Sequence, residues 1–462
     1  MKKFLALSSL LLLVLFGPMG MAFAQEGQPE WPQYIIQAGD TLSSISLRFN
    51  ISLDELITFN NIEDPNQLLA GTPISLPGVD WIQGTINPEF MPFGDSLRSL
   101  SRRYLISPED LALLNRLSSP AQLYVGYPVL FPTGRGEDLS LGRAVVGPQT
   151  SLLEMAVFAG ANPWTMAATN QLAGTWEAVR GDVLLQPGVA QSGPGALPSP
   201  ISQVDVNPLP IVQGDTVVVR VSAESDFTLG GELIDHTLNF FKEEGASYVA
   251  LQGVDALLDP GFYLLDMEGD FADGRHFSHT QTIQVRAGGY GFETITVEPE
   301  LLDPELSRTE LEFLMSYTTV ITPEKYWQGI FQSPSPNEDG INSYFGTRRS
   351  YNDGPYNVYH TGIDFGGGQG LPIYAPASGK VVFAGFKDIR GNMTVIDHGW
   401  GVFSVYYHQS EILVVAGEMV EPGHVIGMVG NTGRSEGAHL HFEMWAGGVI
   451  VEPLDWLTYT YP

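Results

Sequence analysis

The apolar positions of this chain follow one period before residue 200 and another after it. A basic pair, Lys2-Lys3, precedes a largely apolar run from Phe4 to Phe16 that closes on Ala22-Phe23-Ala24. The run is short for a membrane span, and small-x-small before Gln25 is a cleavage signature, so residues 1–24 read as a signal peptide. From Tyr34 the pattern becomes short strand, helix, helix, short strand. Tyr34-Ile-Ile-Gln opens the unit, Leu42, Ile45, Leu47 and Phe49 mark one helix, Leu53, Leu56, Ile57 and Phe59 the next, and Ile74-Ser-Leu closes it. The unit recurs at an interval of 55 residues, with Asn60, Asn115 and Asn170, Gly71, Gly126 and Gly181, and Pro77, Pro132 and Pro187 in register. Ser52, Ser107 and Asn162 keep the same interval as helix N-caps; Glu55 completes a capping box, and Pro108 and Pro163 take the first helical position. Three βααβ repeats are expected, over 33–78, 88–133 and 143–188, each a very small core of about 45 residues.

Residues 189–202, with Gly193-Pro-Gly195 and Pro198-Ser-Pro200, read as an extended, partly mobile linker. Beyond it the period is two. Thr216-Val-Val-Val-Arg-Val-Ser, Phe262-Tyr-Leu-Leu-Asp-Met and Thr280-Gln-Thr-Ile-Gln-Val are strands, and 203–297 is expected to be an all-β, immunoglobulin-like sandwich serving as a spacer. Its His276 and His279 lack the glutamate and helical context of a zinc-protease motif and read as a solvated or hydrogen-bonded pair. Residues 298–335 form a connecting segment with a short helix expected over Thr309 to Met315. The architecture as a whole is multidomain α+β.

Composition narrows the partners. At 462 residues two to four domains are expected. A formal charge of −30 without a polybasic run disfavours nucleic acid and anionic membranes. It would also repel an anionic cell wall, so attachment there needs a binding module. The absence of cysteine excludes disulfides, thiolate ligands and a cysteine-linked lipid anchor. No other stretch approaches spanning length, so an exported protein with no integral membrane segment after signal cleavage is expected.

Six of the nine histidines lie in the last quarter of the chain, and four of them join an aspartate in a suggestive group: His360-Thr-Gly-Ile-Asp364, Tyr407-His408 and His439-Leu-His441. In a strand, His439 and His441 project from one face while Leu440 and Phe442 face the opposite layer. Gly362 argues against a helix between His360 and Asp364, which can converge at a strand edge or tight turn. Histidines with a carboxylate suit a catalytic zinc site, where three protein ligands leave a fourth position for water. The glycine-rich loop Gly430–Gly437 opens no helix and lacks the lysine of a phosphate-binding loop. His398 and His424 fit turns and read as structural or exposed.

Two resemblances emerge. Phe345-Gly-Thr-Arg, His360-Thr-Gly-Ile-Asp364, Ala375-Pro-Ala-Ser-Gly379-Lys-Val, Gly391-Asn392, Tyr407-His408 and His439-Leu-His441 resemble the M23 zinc metallopeptidases of the lysostaphin/LytM type, placing a mainly antiparallel β peptidase domain over 336–460. The resemblance implies Zn2+ held by His360, Asp364 and His441, with His408 and His439 as catalytic histidines, either of which could be the general base. It further implies cleavage of peptide cross-links in bacterial peptidoglycan. The alternative is a catalytically silent scaffold or activator of other wall hydrolases, as some relatives have lost their ligands. Gln409 departs from the usual leucine or methionine, which would loosen packing around His408. Ala38-Gly-Asp-Thr-Leu42, Phe59-Asn-Asn-Ile62 and Ala70-Gly-Thr-Pro-Ile74 resemble a LysM domain. The second repeat keeps Gly94-Asp-Ser-Leu97 and the third is degenerate. This resemblance implies binding of N-acetylglucosamine-containing glycan through Asp40, Thr41, Leu42, Asn61, Ile62 and Asn66. Together they imply a secreted, wall-associated protein whose partner is peptidoglycan, both its glycan strands and its stem or cross-bridge peptides.

Overall fold

The computed structural model describes residues 31–104, 106–133, 141–147, 150–187, 193–272, 274–297 and 302–462. The expected signal peptide lies outside these residues. No helix among the described residues is long and apolar enough to cross a membrane. The chain falls into two compact units, one ending at Thr85 and one running from Ile86 to Pro462.

In the first unit, strand Gln33–Ile35 pairs antiparallel with Pro73–Ser75 and sets Tyr34 opposite Ile74. Helices Leu42–Phe49 and Leu53–Phe59 pack beneath, with Leu42, Ile45 and Leu56 buried beside Tyr34 and Ile74. Ser52 caps the second helix by accepting from the Glu55 amide. Thr41, rather than Asp40, caps the first, in a reciprocal box with Ser44.

The asparagine that recurs every 55 residues is a clamp. Asn60 ends the second helix, donates from Nδ2 to the carbonyls of Leu56 and Ser75, and accepts the Ser75 amide at Oδ1. Asn115 does the same with Leu111 and Leu130, and Asn170 with Met166 and Leu185. One side chain thus adds a second donor to a helix carbonyl that already accepts the asparagine's own amide, and satisfies both polar groups of a residue in the closing strand. Gly71, Gly126 and Gly181 turn the chain into that strand at φ of +87°, +85° and +90°, a region where only glycine is unstrained.

In the second unit, helices Leu97–Tyr104 and Pro108–Leu114 form the second repeat, and Leu152–Phe158 and Pro163–Thr169 the third. The described part of the linker is not free. Leu197 is buried in one core with Phe93 and Val125 of the second repeat and Val217, Leu265 and Ile283 of the next domain. Buried Arg143 donates to the carbonyls of Pro194 and Leu197 at 2.6 and 2.8 Å. Three carbonyls, counting Ile201, take up this one guanidinium and hold the segment in place.

The period-two region forms two sheets around that shared core. One orders His236–Thr237, Phe227–Leu233, Gly261–Phe271, His276–Arg286 and Ile211–Val212; the other orders Phe241–Lys242, Ser247–Gly253, Thr216–Ala223 and Ile201–Asn207. All pairings are antiparallel except Ile211–Val212 with Val285–Arg286. Strand Phe292–Ile295 leaves these sheets and pairs parallel with Arg348–Tyr351, residue Glu293 beside Arg349. Ladder bonds to a remote strand carry no local signal in the sequence.

The short helix expected near 309 is longer, Pro304–Thr318, because Asp303 caps it, Pro304 starts it and Arg308 bridges Glu305 and Glu312.

The last domain is built on an antiparallel sheet of eight strands. Its order is Ile341–Ser343, Ile363–Phe365, Leu440–Ala446, Val402–Gln409, Gly391–Gly399, Gly379–Lys387 and Met419–Val420, with Val449–Val451 also on Leu440–Ala446. A three-stranded sheet of Pro372–Tyr374, Val425–Met428 and Glu411–Ile412 accompanies it. Trp327, Trp445 and Trp456 are fully buried in a core that also takes Val218, Val249 and Leu251 from the preceding domain.

Candidate metal centre

The register of three strands assembles the site. His441 lies directly opposite Asp364 on one side and Tyr407 on the other, and cross-strand partners share a face. His360 arrives on the turn before Ile363–Phe365. Gly362 permits this approach, since a Cβ there would stand 2.2 Å from the Phe442 carbonyl oxygen and 3.0 Å from His441 Nε2. Leu440 and Phe442 are fully buried on the other face, as strand alternation requires.

Three donor atoms meet. His360 Nε2 stands 3.0 Å from Asp364 Oδ1 and 3.0 Å from His441 Nδ1, and the last two are 2.8 Å apart. Among the described residues this is the one group of three His, Cys, Asp or Glu side chains close enough to hold a metal ion. The remaining imidazole nitrogens fit that use. His360 Nδ1 lies 3.1 Å from both Ser343 Oγ and the Tyr344 carbonyl, and His441 Nε2 lies 3.2 Å from Glu443 Oε1. An imidazole whose far N–H donates to an oxygen presents a bare lone pair at its other nitrogen, which is what a metal ligand needs.

His408 and His439 stand beside this group with ring centroids 4.8 Å apart. His408 Nδ1 faces the Thr432 carbonyl at 2.8 Å, and His439 Nδ1 faces the Gly437 carbonyl at 2.8 Å, so each directs Nε2 elsewhere. His439 Nε2 is 3.6 Å from Asp364 Oδ1. His408 holds a left-handed backbone, φ +60°, backed by Gly430, whose Cβ would lie 2.7 Å from the His408 carbonyl. Such strain concentrates at functional sites. Gln409 is fully buried beside this corner, its Nε2 donating to Thr394 Oγ1 at 2.9 Å while its Oε1 has no hydrogen-bond partner.

Burial sets the charge states. It pulls His360 down to about 4 and, with His439 and His441 nearby, His408 down to about 3. Both are therefore neutral near pH 7. Burial pulls on His441 too, but Asp364 and Glu443 outweigh it and raise its pKa. Glu443 is pushed up by burial, yet His441, Arg390 and Thr361 more than offset this and hold it near about 2.

The outer partners were not foreseen from sequence. Glu443 accepts from Tyr407 Oη at 2.8 Å, Trp445 Nε1 at 2.9 Å and Thr361 Oγ1. The Tyr407 ring stacks on His441 at 4.8 Å, and Arg390 links Tyr407 Oη to Glu310 of the helix Pro304–Thr318. Glu443 was discoverable, since it sits two residues past His441 in a strand and so shares its face. Glu310 and Arg390 offered no such cue. The site opens into a cleft of about 1160 Å3 walled partly by Leu311 and Met315 of that helix.

The other candidates lie elsewhere. His276 is exposed against Asp270, His279 packs edge-on to Phe93, and His424 sits in a turn 4.0 Å from Glu418. His398 ends a strand, not a turn, fully buried between the Ser378 carbonyl and Ser404 Oγ. In the first unit Asp40 accepts from Tyr34 Oη and the Gln37 amide, Thr41, Asn61 and Asn66 are exposed, Ile62 is half-buried, and the Leu42 side chain belongs to the core.

Comparison with known proteins identifies the class of the last domain and of the small repeats. The chain carries a Peptidase family M23 domain, matched over residues 358–453, and LysM domains, matched over 34–77 and 93–132. It is 45% identical over 95 residues to the DD-carboxypeptidase/endopeptidase Mpg of Neisseria meningitidis, covering 21% of this chain and 22% of that one. It is 40% identical over 108 residues to the peptidoglycan DD-endopeptidase ShyA of Vibrio cholerae, covering 23% and 25%. The chain thus spans about a quarter or less of the curated relatives it matches. Among solved structures, the catalytic domain of lysostaphin from Staphylococcus simulans is 29% identical, with 29% of this chain and 91% of that one covered at a TM-score of 0.21.

Proposed function

We propose that this chain is an exported zinc endopeptidase that hydrolyses peptide cross-links of bacterial peptidoglycan and is held at the wall by its LysM domains. The observation that carries the reading is the convergence of His360 Nε2, Asp364 Oδ1 and His441 Nδ1, each ligand histidine having its second nitrogen engaged by oxygen. Zn2+ bound there would polarise the scissile carbonyl and lower the pKa of a water to about 7. His408 and His439 would then move protons: one takes the water's proton, the other steadies the developing oxyanion or protonates the leaving amine. Their carbonyl partners keep Nδ1 protonated and Nε2 free for that work.

Asp40, Thr41, Asn61, Ile62 and Asn66, with the Leu42 backbone, are the glycan contacts in this reading. The two-sheet domain, taken as immunoglobulin-like, is the spacer. Retention on glycan would raise local substrate concentration and offset the repulsion of a −30 chain from an anionic wall.

The test is incubation of the full chain with defined cross-linked muropeptides. Conversion to uncross-linked products that stops with chelator and returns with zinc is expected. A chain that binds zinc stoichiometrically yet cleaves none of them would instead be the silent scaffold; one that binds no zinc would end the metal reading.

A further inference from the structure

All five site residues lie within 360–441, yet the support of two of them begins well upstream. Strand Phe292–Ile295 adds to the edge of Arg348–Tyr351 and is pinned there at both ends. The Arg348 amide donates to the Gly291 carbonyl at 2.9 Å, the Asn352 amide to the Ile295 carbonyl at 2.9 Å, and Asn352 Oδ1 accepts the Val297 amide. Phe292 sets its ring edge-on against Tyr356 at 5.3 Å. In this register Glu293 stands beside Arg349 and ion-pairs with its Nε. Its two oxygens also face Ser343 Oγ at 3.2 and 3.3 Å.

Both partners of Glu293 touch the metal-site residues. Arg349 donates to Asp364 Oδ2 at 3.3 Å, on the carboxylate whose Oδ1 faces the two histidines. Ser343 Oγ lies 3.1 Å from His360 Nδ1 and 3.1 Å from Arg349 Nη2. A hydroxyl has one proton to give and two lone pairs to accept with. Arg349 can only donate, so the Ser343 proton goes to the Glu293 carboxylate, and its remaining lone pair faces His360 Nδ1. The Tyr344 carbonyl, 3.1 Å from the same nitrogen and able only to accept, asks for the same state, so both contacts agree on one His360 tautomer, Nδ1–H with Nε2 bare. The same carboxylate neutralises Arg349, which would otherwise compete with a divalent cation for Asp364.

We propose that Glu293 is a positioning residue for the metal site, supplied from outside the peptidase domain, which orients Ser343 as the second acceptor at His360 Nδ1, beside the Tyr344 carbonyl, and offsets the charge of Arg349 against Asp364. The strand Phe292–Ile295 is therefore part of the support of the site and not only a link to it. This rests on the zinc reading above.

The test compares the full chain with E293A and E293Q for zinc affinity, by competition with a chromophoric chelator, and for the visible spectrum after cobalt substitution. Thermal melting runs alongside. Outer partners of metal ligands are worth roughly 10–100-fold in affinity. E293A is expected to weaken zinc by about that range and shift the cobalt bands, with melting of the metal-free chain unchanged. E293Q, isosteric but uncharged, should fall between, and carries the comparison if E293A does not fold. In an R349Q background the E293Q effect should shrink, because the charge it offsets is gone. A wild-type chain that binds metal while both Glu293 variants match its affinity and spectrum overturns this proposal alone. A wild-type chain that binds neither zinc nor cobalt overturns it together with the zinc reading.

Discussion

His441 has Asp364 and Tyr407 as cross-strand neighbours and Glu443 two residues along its own strand, so its imidazole is held from three sides. His439 has its Nδ1 at the Gly437 carbonyl and Ser435 Oγ, just before the strand begins, with Asp364 Oδ1 farther off at 3.6 Å. The two should therefore fail differently. H441A should lose more metal affinity than the roughly 10–100-fold that an outer partner is worth. H439A should keep zinc and lose hydrolysis by about 10^2–10^4-fold, the usual share of a general acid or base. Metal content by mass spectrometry and turnover of a muropeptide separate them; equal zinc and equal rates in both would refute the division of roles. His398 makes a different prediction. Burial pulls its pKa down to about 4, against about 6.5 in an unfolded chain. Between those values the unfolded chain binds a proton that the folded one refuses. Its contribution is therefore whole above about pH 6.5 and is lost as pH falls toward 4, on the order of 3 kcal/mol at most. H398Q should flatten that part of the melting-temperature profile, and parallel profiles for the two proteins would count against it.

At the scale of elements, the asparagine clamp accounts for the repeats better than their hydrophobic pattern does. The third repeat has lost the aspartate of the opening loop but keeps Asn170, fully buried, with Met166 and Leu185 as partners. Removing the side chain strands the amide and the carbonyl of Leu185, at about 1–3 kcal/mol for an unsatisfied group. N170A should speed hydrogen exchange across Leu152–Thr169, and more than N60A does in the first repeat, where the asparagine is only half-buried. Protection unchanged in N170A would mean the clamp is incidental. This clamp was visible as a recurring letter, but its meaning was not, because its partner lies fifteen residues on in a strand. The helix Pro304–Thr318 was underestimated for a related reason: its cap and charge pairs were readable, but acidic and proline-rich flanks masked them.

For the whole molecule, where a cut is made decides what it tests. Phe93, Val125 and Leu197 share a core with the two-sheet domain, so removal of everything to residue 190 would open that core. Removal through Thr85 follows the boundary between compact units. That shorter cut should lower retention on purified peptidoglycan by about tenfold or more while soluble muropeptides are cleaved at the wild-type rate. Unchanged retention would assign wall attachment to some other part of the chain. What the sequence determined alone was most of what has a local period: three βααβ units, their second-helix caps and turns, the change to strands near residue 200, and the shared face of His439 and His441. Those follow from the geometry of one element, 3.6 residues per helical turn or two per pleat. The tertiary structure alone decided that Asp364 faces His441, that His360 closes the group across Gly362, and that Glu293 and Glu310 reach in from upstream. Such meetings depend on strand register and packing between distant segments, which no spacing along the chain encodes.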